Sequence, residues 1–242
     1  TISHTMSVMS DRMPDKFNKI SSEARKVEKH SIDDSDGDIK PYLQNIRSEL
    51  LALKTDLMLV LESGSTPMPK DQAEKLIEQA TMEEDSQPAM AAIVSLLGKL
   101  EVSDNIEPGV KRNIAKTKGH LERSLLAIMV KSPQQDFEGR KDFVKNSSKE
   151  NVNFALRHTK TNPKTLNALH QIDPGLVNYV NIKSHLDGLS NDQLLSFLQK
   201  TEAPINSLIH QMQPKEQAEF LLRLNDTPLK EAFGKPAILT AI

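Results

Sequence analysis

The chain has 242 residues, a formal charge of -2, no Cys and no Trp, with 37% hydrophobic and 4% aromatic residues. Disulfides, thiol nucleophiles and thiolate metal sites are excluded, and so few rings argue against a base-stacking surface, so nucleic acid is not an expected partner. No stretch approaches the ~20 consecutive apolar residues of a membrane span, and no basic region followed by an apolar run marks a secretory signal at the N-terminus.

Residues 1–11 are polar and without period, and read as a disordered lead. From Met13 the apolar positions Met13, Phe17, Ile20, Ala24 and Val27 recur four and three apart, a short amphipathic helix that needs a partner to be stable. Gly37 and the acids Asp33, Asp34, Asp36 and Asp38 break this pattern, and Asp38 is placed to cap a new helix at Ile39. There Leu43, Ile46, Leu50, Leu53, Leu57 and Val60 again fall three and four apart, widened by Leu51, Met58, Leu59 and Leu61. Ser63-Gly64-Ser65-Thr66-Pro67 ends the run.

Helices are predicted next over 70–80, from Pro88 to about residue 100, and from Pro108 to just before Pro133. The last carries the apolar stripe Val110, Ile114, Leu121, Leu125 and Ile128, with Thr117 or Lys118 filling the missing turn. Beyond it the elements shorten to 134–145, 149–157, 163–171, 174–186, 191–199, 204–212, 214–224 and 228–233. Five of these starts carry proline at the first helical position, after Asn162, Asp173, Ala203, Gln213 and Thr227. Ser190 with Gln193 fits a capping box, and Gln213 with Glu216 a weaker one. No alternation of β-branched and aromatic residues suggests a sheet.

The expected fold is therefore all-α, with long helices bearing coiled-coil-like seams as an arm and a compact array of short helices behind it. Its expected divisions are 1–37, a flexible lead with a short amphipathic helix; 38–132, a long-helix arm or dimerisation region; and 133–242, the compact domain.

Local motifs for chemistry fail one by one. The acidic loop read as a calcium loop from Asp34 places Ile39 where the turn needs Gly and Asn45 where it needs a bidentate Glu. The seven histidines form no two-His metal motif, the glycines no phosphate-cradling run, and no Ser lies in a nucleophile elbow. No enzymatic activity, cofactor or metal is expected.

Two binding surfaces remain. Between Lys111 and Lys164 thirteen Lys or Arg face five Asp or Glu, and Lys111, Arg112, Lys116, Lys118 and Arg123 are the candidate docking residues for an acidic partner. Leu43, Ile46, Leu50, Leu53, Leu57 and Val60 are the candidate dimerisation seam, since an apolar stripe left wet favours pairing.

Long arm-like helices, a compact helical end and no catalytic motif together resemble the C-terminal dimerisation domain of Vibrio-type secreted effectors that nucleate actin. The resemblance covers the whole chain as architecture and implies a homodimer that organises actin subunits, in a bacterial protein delivered to the host cytoplasm. It further implies that the 43–60 seam contributes to pairing while the Lys111–Arg123 surface faces actin. A gatekeeper or scaffold of a bacterial secretion system, binding small chaperones, is the alternative.

Overall fold

A computed structural model describes residues 2–33, 38–131, 140–201 and 205–225. Among them are thirteen α-helices, one 3-10 turn and no strand. No helix among the described residues is long and apolar enough to cross a membrane. The chain divides into two compact units, Thr1–Leu125 and Leu126–Ile242, with the division inside the sixth helix.

In the first unit α1 runs Ile2–Ile32, α2 Lys40–Ala52, α3 Lys54–Ser63, α4 Lys70–Met82, α5 Ser86–Glu101 and α6 Pro108–Lys131, the last continuing into the second unit. The disordered lead expected over 1–11 is corrected to helix from Ile2 onward. Ile2, Met6 and Met9 extend the four-and-three spacing of the Met13 stripe backwards, which is why the helix does not begin there. It also runs through Pro14, whose missing N–H removes one bond to the preceding turn.

Helices α1 and α2 form an antiparallel pair. Lys16 bridges Glu49 at 2.7 Å, Asn45 donates to Glu23 at 3.2 Å, and His30 stacks on Tyr42 with centroids 5.1 Å apart. Helix α2 also packs on α4 and α5, and Arg47 donates to the Thr81 carbonyl at 3.1 Å. The single helix expected from 39 to about 61 is broken at Leu53, whose N–H is shared by the carbonyls of Glu49 and Leu50. One tightened residue does not turn the stripe away. Leu43, Ile46, Leu50, Leu53, Leu57 and Val60 are all buried, none more than 2% exposed.

That burial corrects the pairing seam. Its six side chains are covered within this one chain, so none of the six offers a surface for a homodimer, while Leu51 and Leu59 of the same segment stay exposed. Helix α5 completes the closure, because Met90, Ile93, Leu96, Leu97 and Leu100 bury it on more than one face. The N-cap residues of α2 to α5 make no side-chain cap bond, so these helices rest on packing.

The second unit is built the other way. Its helices are α7 Lys141–Asn146, α8 Lys149–His158, α9 Pro163–Ile172, α10 Tyr179–Asp187, α11 Asn191–Lys200, α12 Ile205–Gln211 and α13 Pro214–Asn225. Ser148, Asn162, Asn178 and Ser190 each accept a backbone N–H three residues on, and Ser190 and Gln193 complete the capping box reciprocally. Each cap contributes about 1 kcal/mol, which matters for helices too short to persist alone. Gln213 donates its N–H to Glu216 at 3.2 Å, one half of the weaker box.

Packing here joins each helix to the next but one: α8 to α10, α9 to α11, α10 to α12 and α11 to α13. A buried amide joins the first pair. Asn181 donates to Asn153 at 2.7 Å and to the Leu176 carbonyl at 3.1 Å, and accepts from Arg157 at 3.1 Å. Arg223 of α13 donates to Asn191 and to the carbonyls of Leu186 and Leu189, closing the α10–α11 turn.

The helix expected over 174–186 is corrected. Pro174 opens only the 3-10 turn Pro174–Leu176, and α10 begins at Tyr179 because the Asn178 side chain caps it. Of the element expected over 134–145 the part 134–139 lies outside the described residues, as do the element expected over 228–233 and the proline starts at 204 and 228.

Candidate functional site

Helix α6 starts at Pro108, as proline at a first helical position favours. Val110, Ile114, Thr117, Leu121 and Leu125 face the core, and Thr117, not Lys118, fills the missing turn by donating its hydroxyl to the Asn113 carbonyl at 2.7 Å. Lys118 is thereby turned sideways, where it bridges Glu101 at 3.3 Å.

The structure divides the five candidate docking cations. Arg123 is hydrogen-bonded through Nε to Glu28 of α1, with Nη2 also 3.4 Å from that carboxylate and 3.2 Å from Nδ1 of His120. The His120 ring is bonded to the same carboxylate. Lys111 is half-buried; its charge, after the backbone N–H groups of Ser65 and Asp104, helps hold the Asp104 carboxyl below its usual value. Arg112 and Lys116 alone of the five are exposed, with no ionic partner among the described residues.

Glycine at 119 has a reason. A methyl group there would stand 3.0 Å from Nη1 of Arg123, so the guanidinium crosses α6 over the space that a side chain would fill. Glycine costs an exposed helix about 1 kcal/mol relative to alanine, and the Arg123–Glu28 bond offsets that cost.

Burial raises the pKa of Glu28, but the bonds to His120 and Arg123 and their charges outweigh it and hold the carboxyl below its ordinary 4.5. A lowered folded-state pKa contributes stability that is complete above the unfolded value and lost as pH falls through the folded one. Glu28→Gln is therefore expected to destabilise the chain by on the order of 1.5 kcal/mol at neutral pH. The gap should narrow in acid below the unfolded value. Urea denaturation of both forms at neutral and acid pH checks this, and a gap that does not change with pH would contradict it.

Other polar sites are structural in form. Glu216 accepts from the Tyr179 hydroxyl at 2.8 Å and bridges Lys183 at 2.7 Å; these bonds, with the Gln213 N–H, hold its carboxyl at about 2. Burial, then Glu216 itself, pushes the Tyr179 hydroxyl far up, so it stays protonated and ties α10 to α13. His158 packs on Phe154 and His185 on Phe197, where burial and then Lys160 push the His185 ring down. Asp34 to Gly37 of the acidic loop lie outside the described residues; Asp38 accepts from the Lys40 N–H at 2.9 Å, the expected start of α2.

Two hollows accompany these groups. One of about 320 Å³ lies between the Gly64–Pro69 loop and the Val102–Asp104 turn, and one of about 480 Å³ lies on α9 beside Lys200. The first is lined by Ser65, Ser103, Lys99 and Asp104, and among the described residues no three His, Asp or Glu side chains are placed to hold a metal ion.

What sequence reasoning missed is on α1. Arg25 and Lys29 are exposed and have no ionic partner among the described residues. Their signal was present in the polar positions flanking the Met13 stripe, on the side that carries Asn18. No family model, no curated protein and no solved structure matches the chain.

Proposed function

We propose that the chain is a non-enzymatic helical protein-binding module that receives an acidic partner surface on α6. One observation carries this reading. Arg112 and Lys116 stand one turn apart and exposed, on a helix whose cations Lys118 and Arg123 are already engaged inside the unit. Complementary potentials of this kind speed encounter and set orientation.

Actin is the candidate partner that the resemblance to the actin-nucleating effectors supplies. Organising actin subunits through paired chains needs a pairing surface other than the 43–60 stripe, whose side chains are buried. The test is a pyrene-labelled actin polymerisation assay on the chain, alone and fused to monomer-binding motifs, beside the Arg112→Glu, Lys116→Glu double variant. Acceleration by the fused form that the double variant loses supports the reading. Acceleration indifferent to the variant removes α6 as the docking face, and no effect in any form removes actin in favour of a secretion-system scaffold.

A further inference from the structure

Helices α1 and α6 lie side by side and parallel. Asn113 donates to Asn18 at 2.8 Å, and further along both helices Glu28 meets His120 and Arg123. Lys116 shares the shoulder of α6 that carries Asn113, His120 and Arg123, and Arg25 and Lys29 share with Asn18 the shoulder of α1 turned toward α6. At a rise of about 1.5 Å per residue, this register places Arg112 and Lys116 of α6 and then Arg25 and Lys29 of α1 in succession along the common axis, each step roughly one turn or ~6 Å of rise.

We infer that this ladder of four cations along the α1–α6 groove is a docking site for an acidic α-helix. The inference rests on the docking reading above and extends it from one helix face to a channel between two. A helix carrying Glu every fourth residue repeats its carboxylates at the same ~6 Å step, so each meets one rung. Ser22, a small exposed residue between Asn18 and Arg25, keeps the α1 side of the strip low.

Electrostatics agree with that occupant. Glu28, the acid nearest the ladder, is neutralised by Arg123, and Glu23 is turned to the α2 side, where it meets Lys26 and Asn45. Asp15 is exposed on the same shoulder of α1, seven residues before Ser22 at the Arg112 end, and orients an acidic helix toward the Lys29 end. An extended peptide would need a sheet edge for its main-chain bonds, and two helices offer none. Nucleic acid would find phosphate contacts but no Phe or Tyr to stack on from Asn18 to Lys29 or from Pro108 to Arg123, and the one ring there, His120, is held by Glu28.

The experiment measures fluorescence anisotropy with a labelled helical peptide of Glu on one face and Ala elsewhere. Its competitors are the same composition with Glu spread around the helix, a proline-broken version and a single-stranded DNA. The full chain is compared with Arg25→Ser, Lys29→Ser and with Arg112→Ser, Lys116→Ser; Lys70→Ser, Lys75→Ser on exposed α4 is the charge-matched control.

Each ladder pair is expected to weaken binding of the one-faced peptide about three- to tenfold, as two partly exposed ion pairs would. The control should change it less than about twofold, and the spread and broken peptides should bind more weakly than the one-faced one. If only the α6 pair matters, the groove is overturned while the α6 docking face survives. If neither pair matters, both fall. Equal binding of all the peptides, or tighter binding of DNA through the same four residues, overturns the acidic-helix occupant.

Discussion

Phe17→Ala is expected to lower the stability of the first unit by about 3–5 kcal/mol, the usual range for removing a fully buried ring. Phe17 is 0% exposed, in the middle of the α1 stripe between Met13 and Ile20. Neighbours on both sides hold α1 in place: α2 through Lys16–Glu49 and Asn45–Glu23, and α6 through Asn18–Asn113 and Glu28–Arg123. Those surface bonds are worth little each, so the ring and its neighbours carry the attachment. A shift of the urea midpoint, followed by far-UV circular dichroism, reads the loss. Two units allow two transitions, so the earlier and later parts of the curve are fitted separately. An unpacked α1 would leave the midpoint where it was, and that outcome would remove α1 from the core.

Leu50→Asp should do still more damage, and in a diagnostic way. Truncating such a leucine costs about 2–5 kcal/mol, and a carboxylate adds the penalty of losing water with no partner nearby. Leu50 is 0% exposed on α2, the helix that packs on α1, α4 and α5. The variant is therefore expected to unfold the first unit, with loss of helicity and of the cooperative transition. A seam between two chains gives a different answer, namely a folded variant of half the mass in sedimentation velocity. Retained helicity with halved mass would overturn the intramolecular closure described above.

Both predictions turn on how much of this protein local pattern can reveal. The starts of α4, α6 and α11 follow from proline, cap residues and periodicity, whereas α5 begins two residues before the expected Pro88, and the Ser190 box appears where its Ser and Gln stand in the chain. Pro174 misled because proline at a first helical position fits a 3-10 turn as well as a helix; Asn178, four residues on, decided where α10 begins. The N-terminal part of α1 was hidden by its own polarity, with Met6 and Met9 too sparse to announce a stripe without Met13 beyond them.

The docking residues divide in the same way. Arg123 and Arg112 look alike in sequence, yet Arg123 is spent on a carboxylate 95 residues away while Arg112 is left in water. Arg25 and Lys29 join the second of these groups only because α1 lies beside α6.

Helical class, the short capped elements of the back half and the cationic bias of α6 belong to the amino-acid order, because caps and three-to-four spacing act within a turn or two. Which surface covers the leucine stripe, which charges remain unspent and which helices share a groove belong to the folded chain. A stripe has the same spacing whether its cover is another helix of the same molecule or a second molecule, and a charge carries no local sign of a partner supplied by distant sequence.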